Sequence, residues 1–199
     1  MNRRKFIEYS IKTIALASVP VINFFPKVNI SEDEKKLPWS SNTFKFPLEN
    51  FKLQSGEILK NAFLLVDVNG VLNQSKSNAI IFATCFAGSH KFNQMAYGIN
   101  RALNPLKYCI ITPNLFCSGY SSSPSNTNSP QDGARFPSVT YYDNINAQDK
   151  LISEHFGITN PLMYLGFSMG AQQAFHWGAL HGEKTGGIIP LCGTAKTTT

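Results

Sequence analysis

The sequence predicts an α/β fold, a mostly parallel sheet with helices on both faces. Three observations carry that expectation. Short, continuous β-rich apolar runs recur at "NAIIFAT", "KYCIITPN", "PLMYLG" and "GGIIPLCG", the pattern of strands buried on both faces. Helix-like stretches alternate with them, which suits parallel strands joined by crossovers. Finally, "YLGFSMGAQ" joins a strand directly to a helix through Gly166-Phe167-Ser168-Met169-Gly170.

A chain of 199 residues, 43% hydrophobic, 12% aromatic and 15% charged, is long enough to bury one core. The formal charge of +6 suggests nucleic acid at first sight. Residues 1–27, however, carry five basic side chains against one acidic, net +4, and the body holds 13 basic against 11 acidic. The body has no basic stripe for phosphates, so nucleic acid is not an expected partner. The N-terminus "MNRRKFIEYSIKTIALASVPVINFFPK" places Arg3-Arg4-Lys5 before an apolar run from Ile11 to Phe25. This resembles a twin-arginine export signal and implies the export machinery as a partner. Residues 1–30 are therefore read as signal or anchor, for a protein exported to the periplasm or held at a membrane. The alternative is an amphipathic or disordered leader on a cytoplasmic protein.

Residues 31–42, with "SEDEKKLPWSSN", read as a polar linker to a domain over 43–199. "NFKLQS" and "AFLLVDVNG" are strand candidates on either side of Gly56. After "NAIIFAT", a helix is expected over roughly Phe92 to Leu103, closed by Asn104-Pro105. "SGYSSSPSNTNSPQDGARFPS" breaks all periodicity and by composition alone is a linker. "TYYDNINAQDKLISEHFG" is a helix in which Thr140 caps and Asp143 occupies the reciprocal position of a capping box. "AQQAFHWGALHG" is the helix behind the serine. Cys85, Cys109, Cys117 and Cys192 form no CxxC pair, and no metal-ligand cluster such as HExxH occurs, so no metal is expected. Cys85, Cys109 and Cys192 lie in or beside apolar runs, where cysteine serves as a small buried hydrophobe.

Ser168 is the candidate nucleophile. In a strand–turn–helix elbow the serine sits on a strained turn above the sheet edge, and Gly166 and Gly170 remove side chains that would collide there. The helix that begins at Met169 aims its first amides at a developing oxyanion. The second donor is expected in the loop "CFAGSHKF", with the backbone N–H of Phe86 as partner to that of Met169. The plain alternative is an ordinary turn with a serine cap.

Several segments together, "NAIIFATCFAGSH", "ALNPLKYCIITPNLFCSGYSSSPSNT", "DGARFPSVTYYDN", "AQDKLISEHFGI" and "GFSMGAQQAFHWGAL…PLCGTAKT", resemble the homoserine O-acetyltransferase-like branch of the α/β-hydrolase superfamily over residues 43 to 199. The resemblance implies a Ser-Asp-His enzyme that forms an acyl-serine and passes the acyl group to a hydroxyl or to water. It also implies a small-molecule acyl donor, such as acetyl-CoA or another acyl-CoA for a full-length parent, with no bound cofactor. It makes the Ser/Pro-rich stretch a loop at the mouth of the site. Strict members have a small residue before the serine and a second glycine after Met-Gly. Phe167 and Ala171 stand there instead, which weakens homoserine as acceptor. A serine esterase on the same scaffold and a non-catalytic binding module are the alternatives.

The triad order of this fold is Ser, then Asp or Glu, then His. After Ser168 the only carboxylate is Glu183, and no histidine follows it. His176 and His181 lie about 12 and 20 Å along the helix at its 1.5 Å rise per residue, beyond hydrogen-bond reach. His155 is expected in solvent, and His90 in the oxyanion loop is a candidate for packing or substrate contact. The resemblance implies an N-terminal portion of the fold, with the strands and loops that carry Asp and His lying beyond Thr199.

Overall fold

The computed structural model describes residues 37–196. The export-signal reading of residues 1–30 and the first half of the expected linker lie outside them. Six strands form one sheet: β1 (Ser41–Lys52), β2 (Ile58–Asn69), β3 (Ala79–Ala83), β4 (Cys109–Pro113), β5 (Met163–Phe167) and β6 (Ile188–Leu191), in the order β1-β2-β4-β3-β5-β6. The pairs β4/β3, β3/β5 and β5/β6 are parallel, and β1/β2 and β2/β4 antiparallel. The first hairpin therefore adds an antiparallel flank to a parallel centre. β1 begins at Ser41, inside the stretch expected as linker, and reaches well upstream of "NFKLQS". Pro47 and the positive φ of Glu49 are accommodated by register shifts against β2, as bulges allow.

β3 and β4 are buried at all five positions, which is why they read as unbroken apolar runs. Their alternate residues serve two cores. Ala79, Ile81 and Ala83 join Ile111, Ile145, Leu151, Tyr164, Ala174 and Trp177 on one face, and Ile80 and Phe82 join Ile110, Leu165 and Tyr97 on the other. The first face is covered by α2 (Tyr141–Lys150), which continues as a π-turn over Leu151–His155, and by α3 (Met169–His181). The second is covered by the segment that opens with α1 (His90–Gln94). The helix expected over Phe92–Leu103 is only these five residues, because Gly98 and Asn104-Pro105 divert the chain into turns held by Gly98 N–H to Leu103 O and Tyr108 N–H to Asn104 O. No helix among the described residues is long and apolar enough to cross a membrane.

The Ser/Pro-rich stretch is not a linker. The first half of β2 has no strand beside it on the β4 side, since β4 pairs only with Val66 to Asn69. The loop occupies that edge. Ser122 Oγ accepts from Phe63 N–H at 2.9 Å, Ser121 Oγ from Leu65 N–H at 3.0 Å, and Ser122 N–H donates to Phe63 O. Gln131 completes the edge, its amide accepting from Lys60 N–H and donating to Ile58 O. Serine and glutamine side chains thus satisfy strand groups that would otherwise lack partners. All four cysteines are free thiols. Cys109 is buried, and burial pushes its thiol up to about 11. Cys192, one residue past β6 and expected to be buried, is exposed.

Candidate active site

Ser168 stands between β5 and α3 with φ 55° and ψ −115°, a region that a non-glycine residue enters only at a cost. The surroundings hold it there. Its N–H donates to Leu191 O at 2.8 Å, and its carbonyl accepts from Ala171 N–H at 2.9 Å. A Cβ on Gly166 would lie 2.0 Å from Gly170 O, and one on Gly170 would lie 2.9 Å from Ala83 O. Both elbow glycines are therefore required by close backbone approach.

The loop after β3 faces this turn. Phe86 is 78% exposed, so its side chain is not a core anchor. Phe86 and Met169 line one cavity of about 590 Å³, together with Cys85, Leu115, Tyr120 and Tyr141. Neither the Phe86 nor the Met169 N–H has an acceptor among the described residues. None of the described residues lining the cavity carries a charged side chain. The cavity thus brings Phe86 and Met169, with their unpaired amides, to one wall; Ser168, the residue before Met169, does not itself line it.

Buried amide side chains, unnoticed in the sequence, fix the end of β3. Asn93 Nδ2 donates to Phe82 O and Ala83 O, and Gln173 Nε2 donates to Thr84 O at 2.8 Å. Gln173 Oε1 accepts from Gln148 Nε2 at 3.0 Å, and Gln148 Oε1 accepts from the Tyr164 hydroxyl. Burial pushes that hydroxyl above its ordinary range, so Tyr164 remains a donor. The chain Tyr164–Gln148–Gln173–Thr84 ties β5, α2 and α3 to the residue before the Cys85–Phe86 loop. A signal was present: Gln148 is three residues from Ile145 and three from Leu151, on the apolar stripe of its helix.

The four histidines are accounted for elsewhere. His176 packs on Tyr141 and His181 on Trp177, with ring centroids 5.2 and 4.9 Å apart. Desolvation holds the His181 imidazole below its ordinary value. His155 is exposed, as expected, against Phe44 at 4.9 Å. His90 is buried beside Asn114. No histidine hydrogen-bonds to Ser168 among the described residues.

Comparisons with known proteins agree with this architecture. The family model for the alpha/beta hydrolase fold matches residues 78–198. An ethyl acetate hydrolase of Pseudomonas veronii is 39% identical over 72% of this chain and 42% of its own length. A homoserine O-acetyltransferase of Methanosarcina acetivorans is 32% identical over 79% of this chain and 32% of its own length. The crystal structure of an acetylester hydrolase from Corynebacterium glutamicum superposes with a TM-score of 0.76 at 35% identity, over 79% of this chain and 46% of that one. The chain spans less than half the length of each of these relatives. It belongs to the alpha/beta hydrolase fold family.

Proposed function

We propose that this chain carries the nucleophile side of a serine ester hydrolase. Ser168 Oγ attacks the carbonyl carbon of an ester, the alcohol leaves, and water releases the acid from the acyl-serine. The amides of Phe86 and Met169 hold the oxyanion, which appears only as the carbonyl becomes tetrahedral. The observation that carries this reading is Ser168 at φ 55° directly before Met169, which shares one uncharged cavity with Phe86, both with unpaired N–H groups. The names of the relatives at 39% and 35% identity, an ethyl acetate hydrolase and an acetylester hydrolase, favour water as acceptor. A second reading passes the acyl group from an acyl-CoA to a hydroxyl acceptor, and the homoserine O-acetyltransferase relative supports it.

The test compares the 199-residue chain with the same chain joined to the unmatched C-terminal part of the Pseudomonas veronii hydrolase, each with and without Ser168→Ala. A serine without its general base keeps only weak catalysis from binding and oxyanion donors. The short chain is expected to turn over p-nitrophenyl acetate slowly, and the joined chain about 10³-fold faster or more. Ser168→Ala should remove that gain. Full activity in the joined Ser168→Ala protein would sink the assignment, and acyl transfer to homoserine in preference to water would favour the second reading.

A further inference from the structure

Tyr141 opens α2 and lines the cavity, with Val139, Thr140 and Asn144 from the same stretch of chain. Two contacts hold its side chain. The hydroxyl donates to Gln172 Oε1, and the ring lies against His176 with centroids 5.2 Å apart. Gln172 and His176 are one turn apart on α3, so both supports come from one face of that helix. Gln172 also donates its backbone N–H to Ser168 O at 3.3 Å. The Tyr141 ring and the candidate nucleophile are thus tied to the same turn of α3, and Met169, the residue after Ser168, lines the cavity with Tyr141. Burial pushes the Tyr141 phenol above its ordinary value, which keeps it a donor to Gln172.

The cavity wall around Tyr141 leaves a ligand little to bond. Asn144 Oδ1 accepts from Phe116 N–H and its Nδ2 donates to Thr140 O, both at 2.9 Å. Thr140 Oγ1 accepts from Asp143 N–H, and Ser118 Oγ donates to Leu115 O at 2.6 Å. With the Tyr141 hydroxyl on Gln172, the polar side chains of this wall are satisfied within the protein. Such a wall selects by size and shape and not by hydrogen bonding. Tyr141 has the largest side chain that residues 139–144 bring to it, and that side chain is tethered at its far end. The cavity as a whole, at about 590 Å³, has the size of sites that take ligands much larger than ethyl acetate. We propose that Tyr141 is a specificity-determining residue, whose ring sets how large an apolar group of a neutral ester the cavity accepts. This inference rests on reading the cavity as the ester site.

The experiment uses the full chain and two uncharged ketones that cannot be hydrolysed, 2-pentanone with the shape of ethyl acetate and the longer 2-nonanone. Ligand-observed NMR gives the affinity of each, and their ratio is the readout. Tyr141→Ala should raise the preference for 2-nonanone about tenfold or more, the scale on which an apolar pocket distinguishes chain lengths, and Tyr141→Phe, which keeps the ring, should stay within about threefold of the parent. Tyr141→Leu should shift the preference the same way by a smaller factor, and it decides the matter where the alanine variant does not fold. A purely structural role for Tyr141 would weaken both ketones together and leave the ratio unchanged. An unchanged ratio in the alanine or leucine variant, a Tyr141→Phe ratio that follows Tyr141→Ala, or no saturable binding of either ketone overturns the proposal. Ketone binding needs no nucleophile, so this proposal and the reading tested with p-nitrophenyl acetate can each fail alone.

Discussion

At the scale of single residues, the elbow depends on hydrogen atoms where side chains would otherwise be. A methyl on Gly166 would meet the backbone of Gly170, which cannot swing aside as a flexible side chain could. Gly166→Ala is expected to destabilise the fold by about 2 kcal/mol, as overpacking does, lowering Tm by roughly 4–8 °C. Gly182→Ala is the control, since that glycine has φ −57° and nothing within 4 Å of an added Cβ. It should leave Tm unchanged or slightly raised. Equal melting of the two variants in calorimetry would refute the close-approach account. The requirement was legible in "GFSMG", because a glycine on each side of a serine at a strand–helix junction marks a turn too tight for side chains. The roles of Asn93, Gln148, Gln173 and Asn114 were not, because a buried amide and a solvated one look alike until a partner is placed beside them. Each of these four finds its partner across a gap in sequence, from 10 residues for Asn93 to 89 for Gln173.

Among the elements, α2 shows what local chemistry can and cannot announce. Thr140 Oγ1 accepts from Asp143 N–H, and Asp143 Oδ2 accepts from Thr140 N–H at 2.8 Å, the capping box that the Thr-x-x-Asp spacing predicts. The spacing did not announce that Asp143 Oδ1 also accepts from Gln54 N–H at 2.6 Å. That bond staples the β1–β2 turn to the start of the helix. The two variants should therefore differ. Thr140→Ala is expected to cost about 1 kcal/mol, the ordinary value for a cap. Asp143→Ala strands donors on both elements and is expected to cost about 2–3 kcal/mol. Urea midpoints at constant m-value measure both, and an Asp143→Ala penalty no larger than that of Thr140→Ala would remove the staple. α1 is shorter than its sequence predicts for a related reason. "FNQMAYGINRAL" has helical composition, yet Tyr97 turns into the second core and bonds Thr112. Tertiary contacts thus overrode propensity.

Across the whole molecule, apolar runs identified the strands but not their neighbours. Nothing in "KYCIITPN" says that it inserts between β2 and β3, since a strand buried on both faces carries no mark of which strands flank it. The same sheet ends at β6, which pairs only with β5 among the described residues and exposes Ile189 and Leu191. An apolar edge of this kind recruits further strands. The 199-residue chain is expected to self-associate at micromolar concentration, and Ile189→Lys should reduce that association severalfold by light scattering. A parent chain that stays monodisperse would show that this edge is protected. The opposite flank is built differently, and the difference bears on what holds the wall of the site. The cavity wall formed by Leu115, Cys117 and Tyr120 belongs to the segment moored to β2 by the hydroxyls of Ser121 and Ser122 and the amide of Gln131. Ser121 and Ser122 are buried, and Ser121 Oγ also donates to Asn114 O at 2.6 Å, so bulk water does not compete for those two moorings. The entrance is thus bolted to the same sheet that holds Ser168, a doorway built into its frame.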